Sequence, residues 1–275
     1  MPVLADSPSS LAAFRREVAG RIECHPVVRD NRYTAWFACG EATDDELRAF
    51  TVQFSVFSHL FVEAQLRKCI NAADLASYRA GKEILLNELG VSFARSGSVE
   101  GGTFRFSAGH FEWLAEFARV LGLEWHQLGR RSLGSPATLA FCDALMEWYG
   151  SDDPSTAAGA SYAIEHWAAA GFWKELIAGL RRIKATRLPE LPLGFWTWHD
   201  ALEEQHAAHT DDELAEAFAR PGFSRERFIV AGGAMLDAVE GFWEGISYGR
   251  EAYAAGAERN RVLASVTGKS QASGA

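Results

Sequence analysis

His199, Glu203 and His206 stand in the spacing His-x-x-x-Glu-x-x-His. On a helix that advances about 100° per residue, offsets of four and seven hold all three side chains within an arc of roughly 60°. Phe195, Trp196 and Leu202 flank that arc, so it is expected to face a core. Glu165 interrupts a second apolar stripe, made of Ala158, Tyr162, Ala169, Phe172 and Leu176. Glu88 follows Ile84 and Leu85 at the end of a helical segment, and His110 leads a face of Trp113, Leu114, Phe117 and Leu121. Each has an ordinary alternative: an incidental Glu–His pair on a solvated helix, a buried Glu bonded to Tyr or Trp, a solvated helix end, a capping His. Together they are three carboxylates and three imidazoles, costly to bury unless something compensates them. Two divalent cations would do so. Carboxylates can bridge ions about 3.5–4 Å apart while imidazoles complete each coordination sphere. Mixed oxygen and nitrogen ligands suit iron or manganese, whereas thiolate-rich sets suit zinc.

The elements that must position these residues read as helices. Ser9 and Ser10 can cap a segment LAAFRREVAGRIEC that Pro26 stops; Thr43 with three following acids opens one that runs to Ile70. DLASYRAGKEILLNEL ends at Gly90, and HFEWLAEFARVLGL is short and amphipathic. Ser135-Pro136 and Asp153-Pro154 are caps with first-turn prolines, the second opening an Ala-rich helix expected to reach about Lys184. FWTWHDALEEQHAAH and a segment from Phe223 to about Ala255 complete the set. Residues 92–109, with four glycines, read as a loop. The expectation is an all-α single domain over residues 1–260, with a flexible polar tail at 261–275.

Composition narrows the function. Of 275 residues 48% are hydrophobic and 12% aromatic, enough for one sizeable core. With 27 basic and 36 acidic residues the net charge is −9, which argues against nucleic acid or an anionic membrane as partner. No apolar run nears the roughly 18 residues a membrane span needs, and the N-terminal stretch has no signal-peptide pattern. Four scattered cysteines, Cys24, Cys39, Cys69 and Cys142, read as reduced, mostly buried thiols in a cytoplasmic protein. A homodimer is compatible with this composition.

The chain resembles the haem-oxygenase-like diiron oxidases and oxygenases. The likeness rests on His199-x-x-x-Glu203-x-x-His206, on Glu165 in YAIEHW, on Glu88 in NELG, on His110 opening GHFEWLAEFARVLGL and on the C-terminal AMLDAVEGFWEGI, over roughly residues 45–250. It implies a haem-oxygenase-like multi-helix bundle of about seven core helices. It also implies a pair of irons, ferrous at rest with O₂ as co-substrate, on Glu88, His110, Glu165, His199, Glu203 and His206; a manganese–iron pair suits the same ligands. The activities implied are N-oxygenation of amines, oxidative C–C cleavage of amino-acid derivatives and oxidative decarboxylation of fatty acids, with an amine or amino-acid substrate favoured by Arg95 and Arg105 beside the site in sequence. Compact members hold the first Glu and His within about two turns, whereas here a Gly-rich insertion separates Glu88 from His110. Inside it Glu100 is a candidate seventh ligand, by likeness to N-oxygenating relatives.

Rival assignments remain. His59 and Glu63 at i,i+4 are competing ligands, and His166 and His209 neighbour the proposed set but point off its stripe. Trp113, Trp167, Trp173, Trp196 and Trp198 are candidates for a pocket lining. A metal-free thiaminase-type hydrolase of the same fold would use Cys142 as nucleophile. A non-catalytic helical protein would use an apolar groove to bind a small molecule or partner helix.

Overall fold

The computed structural model describes residues 10–93, 104–206 and 210–271. Twelve α-helices are present among them: α1 Leu11–Val18, α2 Pro26–Arg29, α3 Arg32–Phe37, α4 Asp44–Ile70, α5 Leu75–Glu88, α6 His110–Val120, α7 Pro136–Ala144, α8 Pro154–Ala169, α9 Phe172–Thr186, α10 Gly194–His206, α11 Thr210–Ala219 and α12 Arg225–Gln271. One antiparallel hairpin, β1 Val91–Phe93 with β2 Phe104–Phe106, interrupts them. None of the described helices is long and apolar enough to cross a membrane.

The start signals in the sequence act as expected. Thr43 Oγ1 accepts from the Glu46 backbone N–H at 3.2 Å while Glu46 Oε2 accepts from that of Thr43 at 2.8 Å, closing a capping box at the head of α4. Asp74 caps α5 by accepting from the Ser77 N–H at 2.7 Å, and Ser135 and Asp153 do the same for α7 and α8. The expected single helix from Pro154 to Lys184 is two: Gly171 adopts φ +100° and turns the chain between α8 and α9. The first helix ends at Val18 and the chain continues as a π-helical turn, Ala19–Glu23, before Pro26. Helices α2, α3 and α11 were not expected; their apolar periods are too short to stand out. Helix α12 stays helical to Gln271, ten residues beyond the position where a polar tail was expected to begin.

Helices α4, α8, α9, α10 and α12 enclose the core, which is rich in aromatic rings. Phe50, Phe54, Trp196, Phe242 and Trp243 are all buried, and Phe54 lies 5.1 Å from Trp196 between ring centroids. Such ring pairs contribute about 0.5–1.5 kcal/mol beyond the area they bury. They fix α10 against α4, and with it the rotation that turns His199 inward.

Candidate metal centre

The insertion between Glu88 and His110 does not separate them. After α5, Gly90 takes φ +67°, and a Cβ there would stand 2.3 Å from the Ser107 carbonyl and 2.7 Å from the Gly109 nitrogen. The Ser107 N–H donates to the Gly90 carbonyl at 2.9 Å, and Val91 pairs with Phe106 to open the hairpin. A Cβ on Gly109 would meet the Glu88 carbonyl at 2.8 Å. Two glycines thus let the chain leave α5 and return at the same point. The last residue of α5 and the first of α6 become neighbours although 22 positions apart in sequence.

His199, on the second turn of α10, completes a cluster: the ligating atoms of Glu88, His110 and His199 all lie within 4.8 Å of one another. His110 is 2% exposed and the Glu88 side chain 14%. His110 Nδ1 stands 3.1 Å from Glu88 Oε1, yet neither ring nitrogen of His110 makes a hydrogen bond. A buried imidazole with both nitrogens unbonded is costly by itself. The contact has another meaning: two ligands each about 2.1 Å from one shared cation stand roughly 3.0–3.4 Å apart at octahedral or tetrahedral angles. The 3.1 Å separation falls in that interval.

His199 shows the complementary preparation. Its Nδ1 donates to the Phe195 carbonyl one turn back, at 2.7 Å, which leaves Nε2 with its lone pair directed into the cluster. Burial pushes its pKa down to about 4, against the opposing pull of Glu88 and with help from His110, so the ring is neutral at ordinary pH, as a ligand must be. Trp173 stacks on it at 4.8 Å and 19°, Phe195 lies at 4.4 Å, and Trp113 stacks on His110 at 5.4 Å. These rings exclude water and hold both imidazoles in place. The chemistry of the donor set therefore fits a divalent metal with open positions.

Glu165 is not one of the three clustered ligands. Half-buried on α8, it faces a cavity of about 310 Å³ between α4, α5, α8 and α11, whose wall also holds Ile84, one turn before Glu88. Burial, then the carboxylates of Glu165 and Glu88 among others, raise the phenol of Tyr149 well above its ordinary value, so both acids bear on one interior group. Glu203 and His206 occupy the last turns of α10; their side chains lie outside the described residues, as do Glu100, His209 and the side chains of Arg95 and Arg105.

The competing ligands separate from the cluster. His59 is exposed, bonded through Nδ1 to the Gly129 carbonyl at 3.2 Å and stacked on Phe111 at 4.1 Å; Glu63 is exposed. His166 stacks on Tyr162. A second grouping, His25 with Asp237 and Glu240, has a plainer account. His25 Nδ1 accepts from the Val27 N–H, so Nε2 carries the proton it shares with Asp237 at 3.1 Å, and Asp237 is 75% exposed. Of the cysteines, Cys69 and Cys142 are buried but Cys24 and Cys39 are exposed, against the expectation that most are buried. Burial raises the Cys142 thiol to about 12, the opposite of what a nucleophile needs. Among the tryptophans, Trp113 and Trp198 line an open hollow of about 470 Å³ with Phe195 and Glu116, Trp173 covers His199, and Trp167 and Trp196 belong to the core.

Sequence reasoning missed a polar chain beside Glu165. Gln65 Nε2 donates to the Gly81 carbonyl at 2.8 Å, Tyr149 donates to Gln65 Oε1 at 2.5 Å, and Lys68 Nζ donates to Tyr149 at 3.2 Å and to Ser161 Oγ at 2.7 Å. The signal was available: Gln65 and Lys68 continue the helical stripe of Phe54, Phe57 and Phe61 on α4.

No family model matches the chain, and no curated protein is similar enough in sequence to match it. Solved structures do match. A crystal structure of a CADD-like protein of unknown function from Nostoc punctiforme superposes with a TM-score of 0.60 at 17% identity, covering 87% of this chain and 98% of that one. A domain of unknown function with a haem-oxygenase-like fold from Shewanella denitrificans superposes with a TM-score of 0.59 at 14% identity, covering 92% and 97%. The fold of this chain is therefore haem-oxygenase-like and all-α, as the sequence led one to expect.

Proposed function

We propose that the protein is a non-haem diiron, O₂-activating oxidase or oxygenase of a small organic substrate, with Glu88, His110, Glu165, His199, Glu203 and His206 as its metal ligands. The observation that carries this reading is the convergence of half-buried Glu88 and His199 on buried His110 from three separate helices, with the His110 nitrogens unbonded and His199 held neutral. Three carboxylates against two divalent ions leave about one positive charge, so the cations offset the cost of burying the acids. Bound in this way, the ions supply reductive activation of O₂.

The chain's own residues do the rest. Phe195 fixes the tautomer and direction of His199 through its carbonyl, and Trp173 and Trp113 keep the imidazoles dry. The reactions this reading favours are N-oxygenation or oxidative C–C cleavage of an amine or amino-acid derivative. Decarboxylation of a fatty acid is less well supported, because about 310 Å³ lies at the small end of ligand cavities. Exposed Cys24 and Cys39 beside two buried thiols suit a reducing, cytoplasmic setting. The test is O₂ consumption by iron-loaded protein across amines, amino acids and fatty acids. Uptake triggered by one class and abolished by His110→Ala, with the helical circular dichroism retained, supports the reading; uptake unchanged in His110→Ala removes this site from the chemistry.

A further inference from the structure

The cavity beside Glu165 has a wall of small residues, Ala72, Ala76, Ala80, Ala157 and Ala158 among them, and a half-buried cation, Lys68. The ammonium is seated by neutral oxygens. Gly81 orients Gln65, Gln65 Oε1 accepts the hydrogen bond from the Tyr149 hydroxyl, and the Tyr149 oxygen is left to accept from Lys68, as Ser161 Oγ does. Nζ also rides over the Tyr149 ring at 4.4 Å. Tyr149 ends a π-helical turn, Leu145–Tyr149, an irregularity that concentrates at functional sites. An ammonium has three N–H donors, and two of them go to these hydroxyls. Burial lowers the Lys68 pKa, and the carboxylates of Glu165 and Glu213, which line the same space, oppose that only in part.

We propose that this cavity is the substrate pocket and that Lys68 anchors the carboxylate of a small amino-acid-type substrate, on the reading above that Glu165 and its partners hold metal. The geometry supports three parts of this. The remaining Lys68 donor serves a carboxylate oxygen, and a charge-assisted bond of that kind is strong where water is scarce. Glu213 and Glu216 on α11, with Arg220, place both signs of charge along one side of the cavity, which suits a zwitterion better than an alkyl chain. Glu165 on the same wall sets the bound molecule next to the proposed metals.

Thermal shift and calorimetry on the full chain decide the matter, with two matched probe pairs: L-phenylalanine against L-phenylalaninamide, and L-leucine against L-leucinamide. The acids are expected to raise the melting temperature and the amides to do so at least tenfold more weakly in concentration. Lys68→Met is expected to lose the acid response by tenfold or more, and Ala158→Leu to lose it by filling the space without touching the charge. Equal response to acid and amide, a Lys68→Met variant that binds like wild type, or no response to any acid up to about 10 mM overturns the inference. Anaerobic Fe(II) stoichiometry on the same samples keeps the two readings apart. Iron bound without acid binding removes the pocket assignment alone; acid binding without iron removes the metal centre alone.

Discussion

Gly90→Ala tests how the metal centre is assembled. The residue has φ +67°, where an L side chain costs about 1–2 kcal/mol, and its Cβ would press to 2.3 Å on the Ser107 carbonyl and 2.7 Å on the Gly109 nitrogen. These are backbone atoms of the returning hairpin, so relief requires the start of α6 to move away from the end of α5. Overpacking of that kind adds about 1–3 kcal/mol, giving a total of about 2–5 kcal/mol. Gly122 is the internal control: φ is +78° and nothing stands within 4 Å of the added methyl, so Gly122→Ala carries only the conformational cost of about 1–2 kcal/mol. Urea unfolding of both variants reads the difference. Because the displaced groups are Glu88 and His110, Gly90→Ala is also expected to weaken Fe(II) binding by about 10–100-fold, the usual effect of disturbing what orients a ligand, and Gly122→Ala to leave it unchanged. Equal destabilisation by the two substitutions, or wild-type iron affinity in Gly90→Ala, refutes the idea that the glycine contact brings the first two ligands together.

His199 makes stability depend on pH. Its imidazole takes up a proton near 6.5 when unfolded but only near 4 when buried, so between those values the unfolded chain binds more protons and stability falls as pH falls. In chelator, the loss across that window amounts to about 3 kcal/mol at 1.36 kcal/mol per pH unit, and His199→Asn should flatten it; identical pH profiles for the two proteins contradict the assignment. Alkylation with iodoacetamide at pH 8, read by mass spectrometry, should label exposed Cys24 and Cys39 and spare Cys142; rapid labelling of Cys142 would revive the hydrolase alternative. His59→Ala should leave iron stoichiometry unchanged, since that ring is occupied with Gly129 and Phe111; loss of an iron would place it among the ligands.

Much of the architecture was legible because helices announce their ends. Thr43 with Glu46, Asp74, Ser135-Pro136 and Asp153-Pro154 each mark a start that local hydrogen bonds enforce, whatever the tertiary context. The break at Gly171 was hidden because a single glycine inside an Ala-rich run is tolerated in a helix as readily as it ends one. Glu88, His110 and His199 were identifiable as chemically costly residues on apolar stripes. That Glu88 and His110 touch was not, since it depends on a hairpin closing over the Gly-rich insertion. Lys68 shows the opposite failure: its place on the Phe54–Phe57–Phe61 stripe was readable, but lysines at helix ends are usually solvated, and Lys68 lies in the last turn of α4.

The most direct test of the account is anaerobic titration of the metal-free protein with Fe(II), followed to saturation. The account predicts a plateau near two irons per chain and a lower one in Glu88→Ala. A plateau at zero or one in the wild-type protein, or an unchanged plateau in Glu88→Ala, contradicts it.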